Sequence, residues 1–258
     1  MIALEPHLRE RRDGGAKLLV PYVTGGLTED WVDILHAVVA AGADAVEVGI
    51  PFSDPVMDGP TIQEASVRAL GRGTTPGSIL AELARCQVDV PVVVMTYYNL
   101  AFRMGDLRFA RSLAAAGVSG AILPDLPLEE SADWERESAA AGVASVLLAA
   151  PVTPDDRLAC IAERARGFVY GVSRMGVTGE RTSVAASAGV LAKRLKATTD
   201  KPVLIGFGIS TPEQAVEVCH EADGVIVASA LLRAVLDGEG PEGAAAFVAR
   251  LRRALDGG

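Results

Sequence analysis

A (β/α)8 barrel is the fold class this sequence predicts, and three observations predict it. Eight short, near-continuously apolar runs recur along the 258 residues. They read as parallel strands covered on both faces by helices. Helical patterns lie between them, so the order is strand, helix, strand, helix. No linker or shift of composition divides residues 1–258, which are therefore read as one barrel domain. The rival is a doubly wound open sheet. It would carry a glycine-rich phosphate turn after its first strand, and TGGLTED at 24–30 lacks that pattern.

The elements follow in order. MIALEPHLRERRDGG, residues 1–15, lacks the apolar core of a signal peptide and reads as an extra N-terminal helical segment. LLVPYV (18–23) is the first strand. In EDWVDILHAVVAAG the residues Trp31, Ile34, Leu35, Val38 and Val39 form one stripe, and Gly42 stops the helix. The later strands are AVEVG (45–49), PVVVMTY (91–97), GAILP (120–124), ASVLLAA (144–150), GFVYGV (167–172), PVLIGF (202–207) and GVIVAS (224–229). LRFARSLAAAG, PEQAVEVCHEA and GAAAFVARLRRALDGG supply further helices. Most strand starts lie about 22–29 residues apart, but about 46 separate the second and third, and about 35 the sixth and seventh. The extra residues are expected as long loops after strands two and six. Those loops open at the C-terminal mouth, where barrel active sites sit.

Half of the residues are hydrophobic, which is ample for a large core, and the net charge is −9. The densest basic run is only Arg9, Arg11 and Arg12, which argues against a nucleic-acid surface. No apolar run reaches the roughly 18 residues of a membrane span. Cys86, Cys160 and Cys219 fit no metal spacing, fall in helix-like segments, and read as reduced thiols of a cytoplasmic protein.

Several chemistries lack the residues they need. Of the four lysines, Lys17 and Lys201 immediately precede strands one and seven, at the wrong mouth, and Lys193 and Lys196 follow strand six on a helix. None ends a strand, which disfavours Schiff-base chemistry. His7 is in the N-terminal segment, and His36 and His220 read as helical, so a zinc-type site has no soft ligands at strand ends. Carboxylates do stand there: Glu47 within AVEVG, Asp58 in the loop beyond, and Asp125 in LPDLP. If Val46 and Val48 face the outer helices, Glu47 points into the barrel near its top. Desolvation then raises its pKa toward neutrality, where an acid–base catalyst works best. A buried Glu satisfied by core hydrogen bonds is the structural alternative. Asp58-Gly59 also fits a plain turn, and Asp125 a loop cap.

The loops after strands seven and eight carry a phosphate-site pattern. GFGIS precedes Thr211-Pro212, and Ser229 opens the last strand's helix. Loops seven and eight with a helix N-terminus are the common phosphate site of such barrels. Gly206 and Gly208 let backbone N–H groups approach oxygens closely. Loop six, SRMGVTGERTS, is long and glycine-flanked, as a mobile lid would be.

EVGIPFSDPVMDGPTIQ, LPDLPLEES, YGVSRMGVTG and GFGIS, in that order over nearly the whole chain, resemble the tryptophan synthase α-subunit family. The resemblance implies retro-aldol cleavage of indole-3-glycerol phosphate to indole and glyceraldehyde 3-phosphate in tryptophan biosynthesis. It implies Glu47 as acid at indole C3 and base at the glycerol hydroxyl, and Asp58 as the stabiliser of the charged ring nitrogen. Thr178 would bond Asp58 on closure, and Tyr170 would support Glu47 and substrate. Gly179, Gly208 and Ser229, with Gly206 beside them, would hold phosphate. Tyr22, Ile62, Tyr97, Ile122 and Phe207 would line the indole slot. Asp54 and its loop resemble the contact surface for a β subunit in an α2β2 complex, and closure of loops two and six would couple the two sites. Pyridoxal phosphate belongs to that partner, and no cofactor or metal is expected in this chain. Two departures stand out. Ala228 replaces a glycine before Ser229, which brings a methyl group toward the phosphate. GGLTED replaces the usual Gly-Asp/Pro step after strand one and is expected to expose Leu27. A free-standing indole-releasing lyase, and a barrel kept only as an allosteric regulator of a pyridoxal enzyme, remain as alternatives.

Overall fold

A computed structural model describes residues 1–172, 184–206 and 208–257. Its eight strands are β1 (Leu18–Thr24), β2 (Val46–Gly49), β3 (Val92–Met95), β4 (Gly120–Ile122), β5 (Ala144–Ala149), β6 (Val169–Val172), β7 (Val203–Gly206) and β8 (Gly224–Val227). Each pairs in parallel with the next, and β8 closes onto β1. The barrel that the apolar runs predict is therefore present. Each strand lies within or one residue beyond its predicted run, because parallel strands packed on both faces are near-continuously apolar.

Among the described residues twelve helices accompany the barrel: α1 (Leu4–Asp13), α2 (Trp31–Ala40), α3 (Pro60–Gly71), α4 (Pro76–Leu83), α5 (Tyr98–Met104), α6 (Asp106–Ala115), α7 (Ala132–Ala140), α8 (Asp155–Arg164), α9 (Val184–Lys196), α10 (Pro212–Cys219), α11 (Ser229–Leu236) and α12 (Gly240–Gly257). The amphipathic stripe of α2 buries Trp31, Ile34, Leu35 and Val38. The helix stops where expected: Gly42 takes φ +106, and the amides of Gly42 and Ala43 turn back to the carbonyls of Val39 and Val38.

The N-terminal segment is the helix α1, and it seals the barrel floor. Leu4 fills the space beside Gly120 and Gly167, where an added Cβ would meet its Cδ2 at 2.7 and 2.5 Å. Asp44, buried before β2, accepts from Arg11 Nε at 2.7 Å, Arg252 at 3.1 Å and the Leu19 amide at 2.8 Å. The first and last helices are thereby tied to one carboxylate at the end opposite the mouth.

Several expectations need correction. Leu27 is buried, at 5% exposure, not exposed. Its amide closes a turn onto the Thr24 carbonyl, which folds the side chain back into the core. The long interval after β2 is only partly loop: residues 50–59 form it, and α3 and α4 take up most of the rest. α4 starts on a capping box between Thr75 and Ser78 with Pro76 in its first turn. Cys86 lies beyond the end of α4, and His220 caps α10 from outside. Loop six, residues 173–183, lies outside the described residues, and so does Phe207. No helix among the described residues is long and apolar enough to cross a membrane.

Candidate active site

Parallel register builds the site from the strand ends. Tyr22 on β1 pairs with Glu47 on β2, and Glu47 with Val93 on β3. Neighbours in register share a face, so Tyr22 and Glu47 both enter the barrel. Gly49 lies two residues on, and an added Cβ there would sit 1.8 Å from the Tyr22 hydroxyl. The absence of a side chain at Gly49 is what lets the Tyr22 ring lie across the mouth. The same device recurs opposite: an added Cβ at Gly206 would meet the Tyr170 hydroxyl at 2.3 Å. Gly206 thus has a packing reason to be glycine, besides any anion it faces.

Glu47 is 1% exposed. Neither carboxylate oxygen has a hydrogen-bond partner among the described residues, which removes the reading of a Glu satisfied within the core. Burial pushes its carboxyl up to about 8, and the charge of Asp58 adds to the rise. Asp58 lies half-buried in the loop after β2, and burial lifts it to about 6 while hydrogen bonding with Tyr97 opposes the lift. Two carboxyls in one site are therefore set apart, the inner one neutral and the outer one ionised near pH 7. Tyr170 and Tyr22 are both buried, and their phenols are pushed up, by burial first. The next cause is the Glu47 charge for Tyr170 and the Asp58 charge for Tyr22.

Loop two is held in several places. The Met57 amide donates to the Tyr97 hydroxyl at 2.9 Å, and the Tyr97 ring stacks on Phe52 with centroids 5.1 Å apart. Gln63, on α3, donates to the Asp58 carbonyl at 2.9 Å. Ile62 and Ile122 are buried, Ile62 on α3 and Ile122 at the end of β4, and Tyr97 is buried just beyond β3. Asp54 is exposed near the tip of the loop and accepts from its neighbour Ser53. Val56 and Met57 are exposed beside it. Asp125 accepts from the Tyr98 amide at 2.7 Å, which makes it a cap for the start of α5.

Across the mouth, Gly208 is exposed with φ +88, and Ser229 is exposed as the first residue of α11. The two neighbouring helix starts differ. α10 satisfies its own amides through the Thr211–Gln214 capping box. α11 has no side-chain cap at Ala228, so its first amides are open to an anion. Thr178 and Gly179 lie outside the described residues.

Three of the four lysines are engaged away from this mouth. Lys17 donates to the Ala222 carbonyl, Lys196 pairs with Asp223 at 2.8 Å, and Lys201 donates to carbonyls at the end of α8. Sequence reasoning passed over Gly49, Phe52 and Gln63. For Gly49 the signal was its place on the same strand face as Glu47.

The fold and these residues define a (β/α)8 barrel with two buried or half-buried carboxyls and an uncapped helix start at its C-terminal mouth. Comparison with known proteins narrows this. The family described as Tryptophan synthase alpha chain matches residues 8–255. The tryptophan synthase alpha chain of Picosynechococcus sp. is 43% identical, covering 99% of this chain and 100% of its own length. That of Methanosarcina mazei is 47% identical over 90% of this chain and 84% of its own. The crystal structure of tryptophan synthase subunit alpha from Legionella pneumophila superposes with a TM-score of 0.91 at 32% identity, covering 100% of this chain and 99% of that one. A Mycobacterium tuberculosis tryptophan synthase structure gives 0.90 at 39% identity, covering 98% and 97%. This chain belongs to the tryptophan synthase alpha chain family.

Proposed function

We propose that Glu47 and Asp58 divide between them the retro-aldol cleavage of indole-3-glycerol phosphate. The chain is a lyase of tryptophan biosynthesis, and its products are indole and glyceraldehyde 3-phosphate. The observation that carries the assignment is a buried, unpaired Glu47 carboxyl raised to about 8 beside an Asp58 at about 6.

The chemistry follows from what the leaving carbon needs. C3 of indole is a poor carbanion, so it must be protonated before the bond to the glycerol carbon breaks. Neutral Glu47 delivers that proton, which places positive charge on the ring nitrogen. The Asp58 carboxylate accepts a hydrogen bond from that N–H and stabilises the charge. Glu47, now ionised, takes the proton of the hydroxyl on the adjacent glycerol carbon. The C–C bond breaks, its electron pair returns to the ring to give indole, and the glycerol end leaves as the aldehyde. Glu47 ends as it began, protonated. Tyr170 supports Glu47 and the substrate. Tyr22, Ile62, Tyr97, Ile122 and Phe207 line the apolar slot for the indole ring. Gly208, Ser229 and the open start of α11, with Gly206 and Gly179, hold the phosphate. Thr178 bonds Asp58 when the site closes.

The family is the alpha subunit of tryptophan synthase, so a beta subunit is its partner, and pyridoxal phosphate belongs to that subunit; the alpha chain needs no cofactor of its own. We assign the partner surface to loop two around Asp54 and the assembly to α2β2. Closure of loops two and six couples the two sites. We propose that the chain acts in the cytoplasm, a reading that the free thiols of Cys86, Cys160 and Cys219 support. Residues 1–258 act as one barrel domain. The test is indole release from indole-3-glycerol phosphate by the purified chain, alone and with a tryptophan synthase β subunit. Slow release that rises sharply with the partner supports the assignment. Fast release without it favours a free-standing lyase, and none from folded protein in either condition overturns the reading.

A further inference from the structure

Tyr97 stands in the reading above only as a wall of the indole slot, but its contacts reach further. It follows β3 by two residues, on the strand next to the one carrying Glu47. Its ring stacks on Phe52 at an interplanar angle of 24°, at the start of the loop after β2. Its hydroxyl accepts the Met57 amide at 2.9 Å, near the loop's end. The same hydroxyl interacts with the carboxylate of Asp58, the next residue. Local turns complete the segment, from the Val56 amide to the Asp54 carbonyl and from the Asp58 amide to the Pro55 carbonyl. These turns give the loop its shape but do not tie it to the barrel. Among the described residues, the ties that run outward from 52–58 are Gln63 behind it, on α3, and Tyr97 in front of it.

We propose that Tyr97 is a positioning residue for the catalytic loop, its ring and hydroxyl holding residues 52–58 against the barrel so that Asp58 meets the substrate in one orientation. This rests on the assignment of Asp58 above and deepens it. Among the described residues, the groups that face Asp58 are Glu47 on β2, Tyr22 on β1 and Tyr170 on β6, while Asp125, in the loop after β4, acts on Tyr97 itself. None of these is a cation. Within this acidic and phenolic set, hydrogen bonding with Tyr97 opposes the lift of burial on Asp58. The hydroxyl therefore has two effects, on where the carboxylate points and on the pH at which it ionises.

The test uses the full chain with Tyr97→Phe, which keeps the ring and the stack and removes the hydroxyl. Phe52→Leu is the second variant, which removes the stack and keeps the hydroxyl. Three readouts are followed: steady-state cleavage of indole-3-glycerol phosphate, amide exchange at Met57, and the Asp58 carboxyl titration by carbon NMR. For Tyr97→Phe, kcat falls by about tenfold while KM changes less than about threefold, since a misplaced group costs more in the reaction than in binding. Met57 exchanges faster, and the Asp58 midpoint moves upward by at least about half a pH unit. Phe52→Leu speeds exchange at Met57 and lowers kcat, with a smaller effect on the midpoint. Unchanged exchange and an unchanged midpoint in Tyr97→Phe overturn the proposal, as does a rise in KM with kcat intact. If the wild-type chain fails to cleave the substrate, the assigned reaction falls. The exchange and titration readouts still decide whether Tyr97 holds the loop.

Discussion

Replacing Glu47 by Gln tests the physical state of the site apart from its chemistry. The side chain keeps its size and loses its proton equilibrium. In the folded chain the Glu47 carboxyl is raised from 4.5 to about 8. A raised folded-state value means the folded chain holds the proton more tightly than the unfolded one. The resulting stability is full below about 4.5 and is lost as pH rises toward about 8. At about 1.4 kcal/mol per pH unit, the wild type loses about 4 kcal/mol relative to Glu47→Gln between pH 5 and pH 8.5. Titrating groups that do not interact with Glu47 are common to both chains and cancel in the difference, and Asp58, which does, is already ionised over most of that window. Any fixed cost of burying the amide shifts the whole difference curve without bending it. The assay is denaturant unfolding of both proteins at about half-unit pH steps across that window, read as the difference in unfolding free energy. A difference that stays flat with pH would refute the claim that the barrel holds Glu47 neutral.

The other substitutions address function and packing. Asp58→Asn and Glu47→Ala each lower the rate of indole release by at least about 10²-fold with the fold retained by circular dichroism, since each removes a charge-stabilising or proton-transferring group. Near-normal turnover in either would remove that residue from the reaction. Ser229→Asp places negative charge at the open start of α11 and raises KM far more than it lowers kcat, as steady-state kinetics will read. Gly49→Ala puts a methyl group into the space of the Tyr22 hydroxyl and destabilises the chain by about 1–3 kcal/mol in the same unfolding assay.

Legibility in the sequence followed the physics of each element. A parallel strand packed on both faces is near-continuously apolar, so all eight could be found as runs. For the same reason Glu47 stood out as a carboxylate that the fold had no structural use for. α1 was legible as a segment outside the barrel pattern. α4 was hidden because PGSILAEL is short and follows α3 closely, although its Thr75–Ser78 capping box was present as a start signal. Leu27 was misjudged because its neighbours are polar and glycine-rich. Only the turn onto Thr24 sends it inward, and turn geometry is not carried by hydropathy. The hold of Tyr97 and Gln63 on the Asp58 loop was not legible either. It depends on where three segments converge after the barrel closes, and Tyr97 by itself reads as one more aromatic at a strand end. The paired glycines at 49 and 206 belong to the same category, since the rings that need their space come from other strands.

The proposed chemistry has two carboxyls, separated by their surroundings, acting in opposite protonation states. The pH dependence of kcat/KM for indole-3-glycerol phosphate cleavage tests it most directly. Cleavage needs Asp58 ionised and Glu47 protonated, which gives a bell with limbs near 6 and 8 that belong to the interacting pair. Asp58→Asn should flatten the acid limb and leave the alkaline one. A rate that climbs through pH 9 without falling would mean that Glu47 works only as a base, and would contradict the account.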